Sequence, residues 1–101
     1  MKAKDIKNVH VITRTWFDKV NGNTNFSQMI IINWGCKDEQ LLFNHFQYGY
    51  SSFNYCALQR VAEVVGCDKA DLKKVPFFGV LVRGCKKRDL KSTDYSEWMG
   101  W

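Results

Sequence analysis

Asn8-Val9-His10-Val11-Ile12-Thr13-Arg14-Thr15-Trp16-Phe17 runs into Asp18-Lys19-Val20-Asn21-Gly22-Asn23-Thr24 and continues through Phe26 to Trp34. The first run is rich in β-branched and aromatic side chains, which suit a pleated, half-buried surface. With a period of two, Val9, Val11, Thr13, Thr15 and Phe17 point to one side of a strand. His10, Ile12, Arg14 and Trp16 point to the other. Asn21-Gly22 supplies the positive φ angles of a hairpin turn, and Phe26 to Trp34 is the returning strand.

Further along, Gly35-Cys36-Lys37-Asp38-Glu39 makes a second turn. Gln40 to Gln47 predicts a third strand, with Leu41 and Phe43 on one face and Leu42 and Phe46 on the other. The period then changes. Phe53, Ala57, Leu58, Val61, Val64 and Val65, spaced by three and four, mark the apolar side of a helix. Ser51 or Ser52 caps it and Gly66 terminates it. Asp68 opens a short helical turn through Lys74, Pro76 ends that turn, and Phe77 to Arg83 is a fourth strand. The expected fold class is α+β: a small antiparallel sheet in β-β-β-α-β order, with one main helix packed on one face.

A chain of 101 residues, 46% of them hydrophobic and 15% aromatic, has room and material for one core. Residues 1–101 are therefore read as a single domain, with 1–7 as an N-terminal extension and 89–101 as an aromatic C-terminal tail. The tail, Tyr95-Ser96-Glu97-Trp98-Met99-Gly100-Trp101, is expected to pack on its own domain, because exposed tryptophans invite aggregation. The first residues are charged, with no apolar run of the signal-peptide kind. The longest apolar run, Met29 to Ile32, is far below the ~18 residues of a membrane span. The expected location is the cytoplasm, with no membrane partner.

Cys36, Cys56, Cys67 and Cys85 contain no C-x-x-C pair, and zinc sites usually draw on such pairs. They are read as reduced thiols acting as small hydrophobes, with no metal and no cofactor. His10 and His45 fall inside predicted strands, and neither a nucleophile motif nor a phosphate loop is present. No catalytic residue is assigned, and an enzyme using a Cys–His pair is the least favoured class.

The candidate binding residues lie in three groups. Arg14, Trp16, Lys19, Asn23 and Thr24 belong to the first hairpin, where a guanidinium and an indole share one strand face. Tyr48-Gly49-Tyr50 precedes the helix, whose first N–H groups attract anions. Arg83, Lys86, Lys87 and Arg88 form a basic edge after the last strand. The net charge of +5 makes an anionic partner reasonable.

Arg14-x-Trp16-Phe17-Asp18-Lys19-x-x-Gly22-Asn23-Thr24, followed by Phe46-x-Tyr48-Gly49-Tyr50, resembles a family of small proteins encoded by tailed bacteriophages. The likeness covers roughly residues 8 to 60, with a looser match near Lys86 to Leu90. Asn25 stands where that family has tyrosine, and Ser51 where glycine is common. The resemblance implies a phage accessory protein that is not an enzyme and inhibits a host defence system by binding, in the bacterial host cytoplasm. Its partner would be a host defence protein, or the nucleic-acid or nucleotide ligand of one. An anti-CRISPR-type inhibitor and a signalling-nucleotide sponge both fit, the sponge requiring a pocket at a homo-oligomer interface. The alternative class is a general nucleic-acid-binding module.

Overall fold

A computed structural model describes residues 2–48 and 53–99, the side chains of 45–48, 54 and 77–82 excepted. The strands are β1 (Val9–Asp18), β2 (Asn23–Ile32), β3 (Gln40–Tyr48) and β4 (Phe77–Gly84). Helix α1 (Phe53–Val65) lies between β3 and β4, and a short helix α2 (Tyr95–Met99) follows β4. Three 3-10 turns, Ala3–Asp5, Lys69–Leu72 and Lys87–Lys91, complete the order. The α+β class and the β-β-β-α-β sequence of main elements stand as expected.

The sheet order is β3-β2-β1-β4. β1 and β2 pair antiparallel without a break from Val9↔Ile32 to Asp18↔Asn23, and β2 pairs antiparallel with β3. β4 joins the open side of β1 in parallel, from Val9↔Phe77 to Thr15↔Gly84. The sheet is thus mixed, where a wholly antiparallel one was expected. The reason is topological. β3 runs with β1, and a single helix carries the chain back before β4 starts, so β4 must run the same way.

Register places the predicted strand faces where the alternation put them. Val9, Val11, Ile30 and Ile32 pack under Ala57, Val61 and Ala62 of α1, with Ile6 and Leu72 closing the ends. On the other face Met29, Ile31 and Ile12 pack against Trp98, which is 1% exposed. Trp98 of the aromatic tail therefore packs on its own sheet, while Gly100 and Trp101 lie outside the described residues. Every residue of β2 from Asn25 to Ile32 is buried, because this central strand is covered on both sides.

Gln28 and Asn44, buried on the helix side, are paired with each other and with their surroundings. The Gln28 amide donates to Thr13 Oγ1 at 3.3 Å and to the Phe53 carbonyl at 2.8 Å. Asn44 donates to Gln28 Oε1 at 3.1 Å and to the Cys56 carbonyl at 3.2 Å, so the pair stitches the sheet to the start of α1.

The turn after β1 differs from the sequence expectation in one respect. Only Gly22 takes a positive φ, 69°, whereas Asn21 does not. The connection is longer than a two-residue turn, and Asn21 contributes its side chain instead, donating to Asp18 Oδ2 at 2.7 Å.

Candidate anionic-partner surface on the hairpin and basic edge

Arg14, Trp16 and the basic stretch are far apart in sequence and are brought together by the parallel pairing of β4. Arg14 lies in register with Arg83 and Thr15 with Gly84. The Cys85 N–H then donates to the Thr15 carbonyl at 2.9 Å, extending the ladder by one bond. Beyond it the chain leaves the sheet edge and turns over the outer face of β1. The 3-10 turn Lys87–Lys91 is fastened by Asp89, whose carboxylate accepts from the Lys86 N–H at 3.3 Å. This turn carries the Lys87 ammonium to 5.4 Å from the centre of the Trp16 ring.

Arg14 has a different occupation. Its guanidinium lies 4.3 Å from the Trp98 ring, with Nη1 donating to the Asp89 carbonyl at 3.1 Å and Nη2 to the Glu97 carbonyl at 2.9 Å. The indole beside Arg14 is thus that of Trp98. Arg14 fastens the tail, and its charge forms part of a wall.

Two open depressions lie side by side on this face. One, of about 480 Å³, is lined by Trp16, Phe17, Asp18, Lys19, Val20, Asn21 and Lys87. The other, of about 590 Å³, is lined by Ile12, Arg14, Arg83, Gly84, Cys85, Lys86, Asp89, Glu97 and Trp98. Lys87 lines the first and its chain neighbour Lys86 the second. Lys19, Arg83, Lys86, Lys87 and Arg88 are all exposed.

The neighbouring carboxylates are engaged within their own turns. Asp18 Oδ1 accepts from the Val20 N–H at 2.9 Å and from the Asn21 N–H at 3.3 Å, while the Gly22 N–H donates to the Asp18 carbonyl at 2.8 Å. The Asn21 side-chain amide holds the Asp18 carboxyl below its ordinary pKa, with help from the two backbone N–H groups and from Lys87. Glu97 accepts from the Ser92 hydroxyl. Near Cys85, burial pushes the thiol pKa up; Arg14 opposes that shift and Asp89 adds to it.

Of the remaining candidates, Asn23 pairs with Asp18 and Thr24 with Phe17 at the hairpin end. Asn23 is exposed and Thr24 half-buried. Gly49, Tyr50 and the side chain of Tyr48 lie outside the described residues, as do Ser51 and Ser52. All four cysteines carry free thiols and are half-buried. Among the described residues no group of three or more His, Cys, Asp or Glu is placed to hold a metal ion. The ring of His10 meets Trp34 edge-on at 4.8 Å.

The sequence reading missed Phe17 and Val20, which are 55% and 93% exposed at the rim of the first depression. Strand alternation puts Phe17 on the side of Val9 and Val11, which α1 covers. However, β1 spans about 33 Å and α1 about 20 Å, so the hairpin end extends past the helix. The lengths of the two elements were the available signal.

Among the described residues no helix is long and apolar enough to cross a membrane. No family model, curated protein or solved structure matches this chain.

Proposed function

We propose that this chain is a phage accessory protein that inhibits a host defence system by binding an anionic partner, without catalysis, in the host cytoplasm. The observation that carries the proposal is the Lys87 ammonium over the Trp16 ring, with Lys19, Lys86 and Arg88 exposed around it. Aromatic surface beside mobile cations, with the nearby carboxylates engaged by their own turns, attracts negative charge and offers an apolar contact once it arrives. The resemblance to small phage proteins supplies the defence setting. Both depressions are open, which favours a macromolecule lying across them over a small ligand that must be enclosed.

The test is phage plating on bacteria that carry an active nucleic-acid-targeting or cyclic-nucleotide defence and express this chain. Wild type is expected to restore plating, and the triple variant Lys86→Ala, Lys87→Ala, Arg88→Ala to lose that effect while remaining folded. Plating equal to an empty vector across such a panel sinks the proposal. A melting-temperature rise with cyclic dinucleotides would instead favour the sponge.

A further inference from the structure

Resting on that reading, we infer that the anionic partner is a single-stranded nucleic acid, with one base stacked on Trp16 and its flanking phosphates held by Lys87 and Lys86. Its register with Asn25 sets Trp16 on the outer face of β1, where the indole offers a platform. The Lys87 ammonium sits over that ring at 5.4 Å. A base stacking on that side of the ring would meet this ammonium. The flexible lysine stem lets the cation move outward as the base arrives, and the moved charge then lies where the adjoining phosphate runs.

The second depression continues the path. Arg14 and Trp16 are two residues apart on one face of β1, about 6.6 Å along the strand, a distance that one nucleotide step spans. Beyond Lys87 and Lys86, Arg83 and the guanidinium of Arg14 supply positive charge over the apolar floor of Ile12. Arg14 is held by two carbonyls, so its charge stays in place without a ligand to order it. This is the pattern of sequence-tolerant strand binding, an aromatic platform followed by cations along a track. A duplex keeps its base faces inside the stack and would reach only the lysines.

The test is fluorescence anisotropy with a labelled oligothymidylate of about a dozen nucleotides, compared with a DNA duplex and polyglutamate over a salt series. Wild type is expected to bind the single strand more tightly than either competitor. Trp16→Ala is expected to weaken single-strand binding roughly tenfold, and Trp16→Phe to keep most of it. Lys87→Gln is expected to reduce the slope of log affinity against log salt by about 0.7, the effect of one lost phosphate contact.

Circular dichroism confirms that each variant is folded, and Trp16→Phe carries the comparison if the alanine variant is not. Polyglutamate or duplex bound as tightly as the single strand overturns this inference and leaves the anionic-partner reading intact. Single-strand binding indifferent to both Trp16→Ala and Lys87→Gln overturns it equally. No binding of any of the three polyanions at low salt overturns both.

Discussion

The guanidinium of Arg14 lies 4.3 Å from the ring of Trp98, eighty-four positions along the chain, and donates to the carbonyls of Asp89 and Glu97. One strand residue thereby fastens the segment that covers the second face of the sheet. A charged donor serves twice here, as a hydrogen-bond fork and as a cation on an aromatic face.

Arg14→Ala is therefore expected to destabilise the fold by about 2–3 kcal/mol, from two charge-assisted bonds and one cation–π contact. Arg14→Lys should recover only part of that loss, since an ammonium cannot span both carbonyls as a planar fork does. Urea unfolding gives the magnitude. Hydrogen exchange at Leu90 and Trp98 should quicken more than at Ile30, and uniform quickening would argue against a local fastening role.

Asn33 combines a left-handed backbone with a full set of side-chain partners. Its φ is 56°, it is completely buried, and Oδ1 accepts from the Lys7 N–H at 2.6 Å. Nδ2 donates to the Asp5 carbonyl at 3.0 Å and to Asp38 at 3.1 Å. Asn33→Gly relieves the backbone and loses only the bonds, whereas Asn33→Ala loses the bonds and keeps a side chain in the left-handed region. The alanine variant should be the less stable of the two by about 1 kcal/mol. Equal melting temperatures for the two would contradict this.

The Gln28–Asn44 pair tests the polar seam beneath α1. Gln28→Leu takes a partner from the Asn44 amide and from the Thr13 hydroxyl in a buried place, and should cost about 1–3 kcal/mol. Adding Asn44→Leu should cost less than the sum of the two single changes, because the mutual bond is then lost only once. Strict additivity in a double-mutant cycle would show that the two amides do not act together.

Asp18 predicts the acid behaviour of the hairpin end. Its carboxyl is held below the ordinary value of 3.8, first by the Asn21 side chain. A depressed folded pKa means the contribution is present above the unfolded value and fades as pH falls through the folded one. Exchange protection at the Val20 and Asn21 amides should therefore fall only below about pH 4. The carboxyl carbon of Asp18, followed by NMR, should titrate below 3.8; a midpoint above that value would contradict the geometry.

Much of the fold could be read from local pattern. A period of two over Val9 to Phe17, then Gly22, then Phe26 to Ile32 predicts the hairpin, because strand geometry is local and its alternation is visible residue by residue. The change to spacings of three and four from Phe53 to Val65, ended by Gly66, predicts α1 for the same reason. The direction of β4 was also within reach, since one helix between β3 and β4 sets it, whereas the edge it joins was not.

The partners of individual side chains were decided elsewhere. Arg14 and Trp16 share a strand face in the sequence, which brings them near each other but does not say which indole receives the guanidinium. The tail answers that by laying Trp98 over Met29 and Ile31, since burying a large ring on the open sheet face outweighs leaving Arg14 to its neighbour. Likewise the Lys87 ammonium reaches Trp16 only because β4 runs alongside β1 and the following turn folds back over it. Periodicity specifies which way a side chain points, whereas contacts between residues seventy positions apart depend on how elements are laid side by side.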